Sequence, residues 1–166
     1  MLAAFAAPAR ASDAPELLRN KTIFVSWTVH RDVMTAMGER TPTVRVQRFI
    51  YVSSLGRAFV KSRLESPQGP IAHEMGPADS LPQGGAREID FVGNQLIAMA
   101  QRGSGAGRMI ITFDASFTTC RVENELARPS SDRVTKRGPG GGTVQILSTD
   151  FSGQSCTIRE GNLVAP

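Results

Sequence analysis

The chain has 166 residues, a length that fits a single domain with a real hydrophobic core. Its 19 lysine and arginine residues exceed its 15 aspartate and glutamate residues, but they are scattered along the chain, which favours a solvated basic surface over a nucleic-acid site. No membrane-spanning helix is predicted after the first residues, because no stretch approaches the roughly 18 consecutive apolar residues that such a helix needs.

Residues 1–11 have the character of the end of a secretory signal. A short apolar stretch is followed by Pro8 and by small residues at Ala9 and Ala11, which is the pattern of a cleavage site before Ser12. We therefore expect 1–11 to be a signal-peptide remnant and 12–166 to form one mature domain, exported to the periplasm or secreted.

Apolar residues alternate with polar ones from residue 22 onward, which predicts β-strands. The first strand has Ile23 and Trp27 on one face, and the next covers residues 44–52. Arg48 interrupts the apolar face of this second strand and predicts a bulge or a barrel rim near residues 47–49. A turn at residues 53–56 then leads into a returning strand.

Residues 66–86 are crowded with proline and glycine and also contain His73. This composition predicts a long surface loop, of the kind that is often functional or disordered. The helix candidates are residues 14–19 and parts of residues 71–80.

The second half of the chain continues the strand pattern. Residues 89–99 form a predicted hairpin with its turn at Gly93-Asn94, and further strands are expected around residues 109–113 and 144–148, separated by a glycine-rich loop over 128–142. About eight strands at hairpin spacing predict an all-β fold, a small antiparallel up-and-down barrel, because closure removes exposed strand edges. A β-sandwich is the alternative.

The two cysteines lie in similar sequence segments, which we call the cysteine phrases. Each has the pattern Asp-x-Ser, two variable positions, Ser or Thr, and then Cys. Cys120 and Cys156 share the parity of apolar neighbours, so each thiol is expected on an apolar strand face. A disulfide between them fits an oxidising compartment, and two buried free thiols in a cytosolic domain are the alternative. Asp114 and Asp150 are interpreted as residues that form strand corners rather than as an acid/base pair.

The aromatic residues allow two interpretations of the interior. The expected core includes Trp27, either Phe49 or Tyr51, and Phe59. In a hollow barrel the ligand-lining residues would be Trp27, Phe59, Phe91, Met99 and Phe113. In a filled barrel the same aromatic side chains would simply be packed.

No catalytic, metal or cofactor site is predicted. His30 and His73 are the only histidines, no G-x-S-x-G nucleophile motif is present, and a His30/His73/Glu74 metal site has no supporting ligand spacing. Both glycine-rich runs precede strands, which is the wrong order for a phosphate-binding loop.

Several segments resemble small exported bacterial proteins of unassigned function. They are residues 17–27, residues 50–59, both cysteine phrases and the closing residues 160–163. Trp27 near the start of the first strand, together with residues 91–96, is also similar to lipocalin-like (calycin) barrels, although Val25 stands where the lipocalin motif has glycine. That resemblance implies a β-barrel and a ligand-binding role.

These observations lead to one expectation for function and two alternatives. The protein is expected to be a non-catalytic binding module for a small apolar ligand or an envelope partner, with no cofactor. The first alternative is a structural, interaction or inhibitor role with a filled core. The second is a hydrolase that uses His30 or His73 with a nearby serine or aspartate.

Overall fold

The computed structural model describes residues 14–66, 69–79, 89–99, 106–126, 134–137 and 142–164. Side chains are described throughout these ranges except for residues 69–79, 99, 106–107 and 134–137. Within this part of the chain, no helix is long and apolar enough to cross a membrane.

The described residues form a single 3₁₀ turn, Glu16–Leu18, and a series of strands. The strands are β1 (Lys21–Thr35), β2 (Gly38–Arg40), β3 (Thr43–Val52), β4 (Ala58–Ser66), β5 (Gly69–Asp79), β6 (Ile89–Val92), β7 (Gln95–Met99), β8 (Ala106–Phe113), β9 (Cys120–Leu126), β10 (Val134–Arg137) and β11 (Thr143–Glu160).

The strands pair into two antiparallel sheets. The large sheet has seven strands in the order β10-β11-β1-β3-β4-β5, with β2 paired to β1, and the small sheet has the order β6-β7-β8-β9. The first and last long strands, β1 and β11, are paired along most of their length. The prediction of an all-β fold is confirmed, and this two-sheet arrangement fits a sandwich as well as a barrel.

One hydrophobic core lies between the sheets, and it follows from the alternation of side chains along each strand. On β1 the odd-numbered residues Ile23, Val25, Trp27 and Val29 are buried. The small sheet contributes Leu96 and its neighbours to the same cluster. Burial of each large aliphatic or aromatic side chain stabilises the fold by about 1.5–3 kcal/mol.

The 3₁₀ turn lies at one end of this core. Leu18 is fully buried, and the backbone N–H of Ala14 donates to the carbonyl of Gly56 over 3.3 Å. The turn ends at Asn20, which has a φ of 60° and whose N–H donates to the carbonyl of Val52. The helix candidate at residues 14–19 is therefore a single turn.

Two loop predictions are wrong in part. Within the predicted loop at 66–86, Gly69–Asp79 is strand β5, which pairs with β4, and within the loop at 128–142, Val134–Arg137 is strand β10, which pairs with β11. Among the described strands both lie at sheet edges, where proline is tolerated because one side of the strand forms no ladder. The helix candidate at 71–80 is wrong for the same residues, and 67–68 and 80–86 lie outside the described part.

The bulge predicted near residues 47–49 is also wrong. The register between β1 and β3 is continuous from Lys21↔Val52 to His30↔Thr43. Arg48 keeps its place opposite Val25 and so lies on the core side of the large sheet.

The predicted disulfide is present between Cys120 and Cys156, with a Cα–Cα distance of 5.5 Å. Both residues pack against the core, as the parity of their apolar neighbours predicts. Because Cys120 begins β9 and Cys156 lies in β11, the bond links the small sheet covalently to the large sheet.

The first cysteine phrase forms the corner between β8 and β9. The Asp114 carboxylate accepts hydrogen bonds from the backbone N–H groups of Thr118 and Thr119, both at 2.8 Å, and from the hydroxyls of Ser116 and Thr118. The corner-forming role of Asp114 is confirmed. These donors, with the Ser116 hydroxyl first, hold the pKa of Asp114 far below its ordinary value.

The second cysteine phrase lies inside strand β11, which corrects the interpretation of Asp150 as a strand-corner residue. Asp150 lies within β11 opposite His30, and Gly153 has a φ of 60°. Between Ser152 and Ser155, two residues of β11 face the single residue Trp27, which is a β-bulge.

Candidate functional site

The large sheet carries four aromatic side chains on the face opposite the core. We call Phe24, Phe49, Tyr51 and Phe59 the aromatic face. Each is half-buried, and none belongs to the core or to the residues packed against it.

Strand alternation and register bring these four residues together. Each one adjoins core-side residues in its own strand, so its side chain points the other way. The register pairs Phe24 with Phe49 and Tyr51 with Phe59. Ring centroids lie 4.8 Å apart in the first pair and 6.5 Å apart in the second, within the range of favourable aromatic contacts.

Cationic side chains lie around the aromatic face. Lys61 is opposite Phe49 in the register, Arg63 is opposite Gln47, and Arg159 on β11 is opposite Thr22. Two acidic residues lie in these rows: Glu65, which is 3.2 Å from the Arg63 guanidinium, and Asp79 of β5, which is opposite Phe59 in the register. The aromatic face is therefore flanked by side chains of predominantly positive charge.

Further along the same side of β1, a histidine contacts a serine. His30 Nε2 lies 2.6 Å from Ser152 Oγ across the β1–β11 pair, in an exposed position. Ser152 immediately precedes Gly153, so the bulge sets the backbone direction at the serine. The pair is thus at hydrogen-bond distance, and it is exposed.

A carboxylate lies close to this pair. Asp32 is two residues after His30 on the same side of β1 and accepts hydrogen bonds from the hydroxyls of Ser148 and Thr41. These two donors, and to a smaller extent the charge of His30, hold the pKa of Asp32 below its ordinary value. Asp32 is thus an anion throughout the neutral range.

Asp150 lies opposite His30 in the register. Its carboxylate accepts a hydrogen bond from the adjacent backbone N–H of Phe151 at 2.8 Å. This local hydrogen bond explains the position of the carboxylate, so no bound substrate is needed to explain it.

The five residues predicted to line an internal pocket are not all on the same side of the large sheet. Trp27, Phe91 and Phe113 are in the common core, with 7%, 6% and 2% of their surface exposed. Phe59 lies on the opposite side of the large sheet, stacked on Tyr51. Met99 ends β7, and its side chain lies outside the described part.

Two arginines face the core side of the large sheet. The Arg48 guanidinium lies 5.8 Å from the centre of the Trp27 ring, a cation–π distance. Arg31, four residues after Trp27 on the same face of β1, is partly buried, and this burial lowers its pKa. The interior near Trp27 is therefore more polar than an apolar ligand pocket.

Sequence reasoning missed the aromatic face and the orientation of Arg48. Phe59 and either Phe49 or Tyr51 were expected in the core, although Ile50 and Val52 already supplied an apolar parity for β3. The interruption by Arg48 was the available signal, and it marked a core-facing arginine rather than a bulge.

Among the residues that the structure describes, no group of three or more His, Cys, Asp or Glu side chains is arranged to hold a metal ion. The side chains of His73 and Glu74 lie outside that part. No protein-family model matches the chain, and neither a curated protein nor a solved structure matches it.

Proposed function

We propose that the protein is an exported, non-catalytic binding module whose aromatic face docks an envelope protein. The observation that carries this proposal is the set of four half-buried aromatic side chains, contributed by β1, β3 and β4, on the side away from the core. Aromatic residues and arginine are enriched at protein interfaces, and they supply most of the residues whose truncation weakens binding.

The charge around the aromatic face defines the chemistry of the partner. Lys61 and Arg63 on β4 and Arg159 on β11 border the aromatic face on two sides, with Glu65 and Asp79 as the acidic residues among them. A partner with an apolar centre and an acidic rim complements this arrangement, since charges at a rim steer association and select against like-charged surfaces.

Export is supported by the disulfide between Cys120 and Cys156. Disulfides persist in oxidising compartments and are rare in the cytosol. The signal-like residues 1–11 agree with this compartment.

We infer further that the two sheets are the two halves of a barrel-like, lipocalin-like meander. The pairing of β1 with β11, the single core and the disulfide from β9 to β11 all support this arrangement. A meander whose first and last strands pair is the topology of an up-and-down barrel.

The docking proposal is tested by site-specific photo-crosslinking in the native cell envelope. The variant Phe49→p-benzoylphenylalanine places the photoreactive ring in the aromatic face. Ile110→p-benzoylphenylalanine is the matched control, because Ile110 is also half-buried but lies on the outer side of the small sheet. A discrete crosslinked protein from position 49 and none from position 110 is expected.

Equal crosslinking from both positions, or none from position 49, would contradict the docking proposal. Native mass spectrometry of the protein purified from its own envelope tests the small apolar ligand. Extra mass that is released on denaturation would show a ligand bound in the interior. That result would contradict the proposal that the aromatic face is the binding site.

A hydrolase is the second candidate, favoured by the 2.6 Å contact between His30 Nε2 and Ser152 Oγ. In such a reaction the serine oxygen would attack an ester carbonyl while His30 accepts the hydroxyl proton. The ester C–O bond would then break as His30 returns the proton to the departing alcohol, and water would release the acid from the acyl-serine. Labelling by a fluorophosphonate that is lost in both Ser152→Ala and His30→Gln would establish it. Absence of labelling in the unaltered protein would reject it.

A further inference from the structure

Three leucines are exposed at one end of the molecule. Leu17 in the 3₁₀ turn, Leu55 in the turn between β3 and β4, and Leu163 after β11 have 55%, 76% and 42% of their surface exposed. We call this set the leucine end. The aromatic face lies on the side of the large sheet, so the two surfaces are built from different residues.

Backbone hydrogen bonds hold the three segments at the same end. Ala14 donates to the carbonyl of Gly56 beside Leu55, and Asn20 donates to the carbonyl of Val52. Gly161 donates to the carbonyl of Asn20 over 2.8 Å, which joins the C-terminal segment to the residues after the 3₁₀ turn. Leu163 is itself held by a bond from its N–H to the Thr22 hydroxyl at 3.0 Å.

In two of the three segments, the residue next to the exposed leucine is buried and attaches the segment to the core. Leu18 is fully buried beside Leu17, and Val164 is 3% exposed beside Leu163. The third leucine lies in a turn closed by Ser53 and Arg57, where polar residues and glycine are usual. The exposed leucines are therefore not needed to fasten their own segments.

The charges at this end sum to a net positive value. The cationic residues are Arg19, Lys21, Arg57 and Arg159, and the acidic ones are Glu16, Glu160 and Asp79, which is in the same register row as Arg159. Glu160 lies 3.4 Å from Lys21, so these two charges offset each other. Exposed aliphatic side chains thus project from a surface with an excess of positive charge.

We propose that the leucine end docks on the surface of an anionic lipid bilayer. Aliphatic side chains enter the boundary between headgroups and acyl chains, and nearby lysine and arginine are attracted to anionic headgroups. Leucine is under-represented among the residues that dominate protein–protein interfaces, whereas aromatic residues lead there. This contrast assigns the leucine end to lipid and leaves the aromatic face for a protein.

The test is co-sedimentation of the full chain with vesicles of phosphatidylcholine alone and of phosphatidylcholine mixed with phosphatidylglycerol. Binding to the mixed vesicles, and weaker binding to the neutral ones, is expected. The triple variant Leu17→Ser/Leu55→Ser/Leu163→Ser should lower the partition coefficient on mixed vesicles by about tenfold or more, since each leucine loses its apolar burial.

Two controls are matched to this variant. Met37→Ser removes a residue that is 83% exposed in the turn between β1 and β2, away from the leucine end, and should leave binding unchanged. Leu2→Ser/Phe5→Ser tests the apolar residues 1–11, which precede this end of the domain. Far-ultraviolet circular dichroism confirms that each variant is folded.

Each outcome decides the proposal. Loss of binding in the triple variant, with binding kept in both controls, supports it. No binding to mixed vesicles, equal binding to both vesicle types, or a loss in Leu2→Ser/Phe5→Ser that the triple variant does not show would overturn it. The leucine end shares Arg159 with the surroundings of the aromatic face but has different apolar residues, so failure of either proposal leaves the other standing.

Discussion

The two sheets share one core but present different surfaces on their other sides. The large sheet carries stacked aromatic rings, with Phe24 on Phe49 and Tyr51 on Phe59. The small sheet carries polar pairs, such as Arg108 and Glu125 at 2.6 Å across β8 and β9, beside one aliphatic pair, Ile97 and Ile110. Half-exposed aromatic side chains outside the core contribute less to the free energy of folding than buried ones do. We therefore interpret the outer side of the large sheet as the binding surface.

The cysteine phrases provide a second comparison, between similar sequences in the two sheets. Phe117 in the first phrase and Gly153 in the second occupy the same position after the aspartate, and their φ values are 54° and 60°. The first becomes a corner because the chain turns from β8 into β9. The second becomes a bulge because β1 pairs with β11 on both sides of it. The same local conformation thus serves two different connections.

Removal of the disulfide should have the largest effect on how the two sheets are held together. Cys120→Ser/Cys156→Ser should lower the free energy of unfolding by about 3–4 kcal/mol, because the open chain gains entropy when a loop of this length is no longer closed. Denaturant titration of the variant and of the unaltered protein, each with and without reductant, measures the loss. A stability that is equal with and without reductant in the unaltered protein would contradict it.

Asp114 and Asp32 should make stability depend on pH, one in each sheet. Both carboxylates have a pKa below the ordinary value of 3.8 in the folded protein. Their contribution is therefore fully present above the pKa of the unfolded chain and declines as the pH falls through it toward the depressed folded value. Asp114→Asn should lose more stability at pH 7 than Asp32→Asn, because Asp114 accepts more hydrogen bonds.

The measurement is thermal unfolding of the two variants and of the unaltered protein between neutral and strongly acidic pH. The difference between Asp114→Asn and the unaltered protein should shrink as the pH falls below about 4. A difference that stays constant with pH would contradict the role of the carboxylate.

Truncation on the aromatic face should separate binding from stability. Phe49→Ala should cost about 1 kcal/mol of stability through the lost ring contact, and it should weaken partner capture about tenfold or more. Ile110→Ala on the small sheet is the control and should leave capture unchanged. Affinity capture of the crosslinked partner and denaturant titration measure the two effects, and parallel losses in both variants would remove the distinction between the sheets.

The ion pair of the small sheet should have the smallest effect. Arg108 and Glu125 are about half exposed, so Arg108→Ala should cost about 0.5 kcal/mol or less, and less still at high salt. Denaturant titration at low and high ionic strength tests this. A cost above that of Phe49→Ala would reverse the comparison of the two surfaces.

The sequence by itself determined the features that depend on neighbouring residues. Alternation of apolar side chains predicted β1 and the hairpin of β6 and β7, and parity predicted that Cys120 and Cys156 face the core. Asp114 was identifiable as a corner residue because its hydrogen-bond donors follow within five positions. These features are local, since strand geometry and side-chain capping act over a few residues.

Only the tertiary structure decided the features that need distant partners. β5 was hidden by the proline and glycine within it, and β10 by those in the surrounding sequence, because edge strands are formed by the neighbour with which they pair. The aromatic face depends on which parity of β3 and β4 meets the small sheet, and the leucine end gathers residues from the beginning, middle and end of the chain. Such juxtapositions are set by register and sheet packing, which no local pattern encodes.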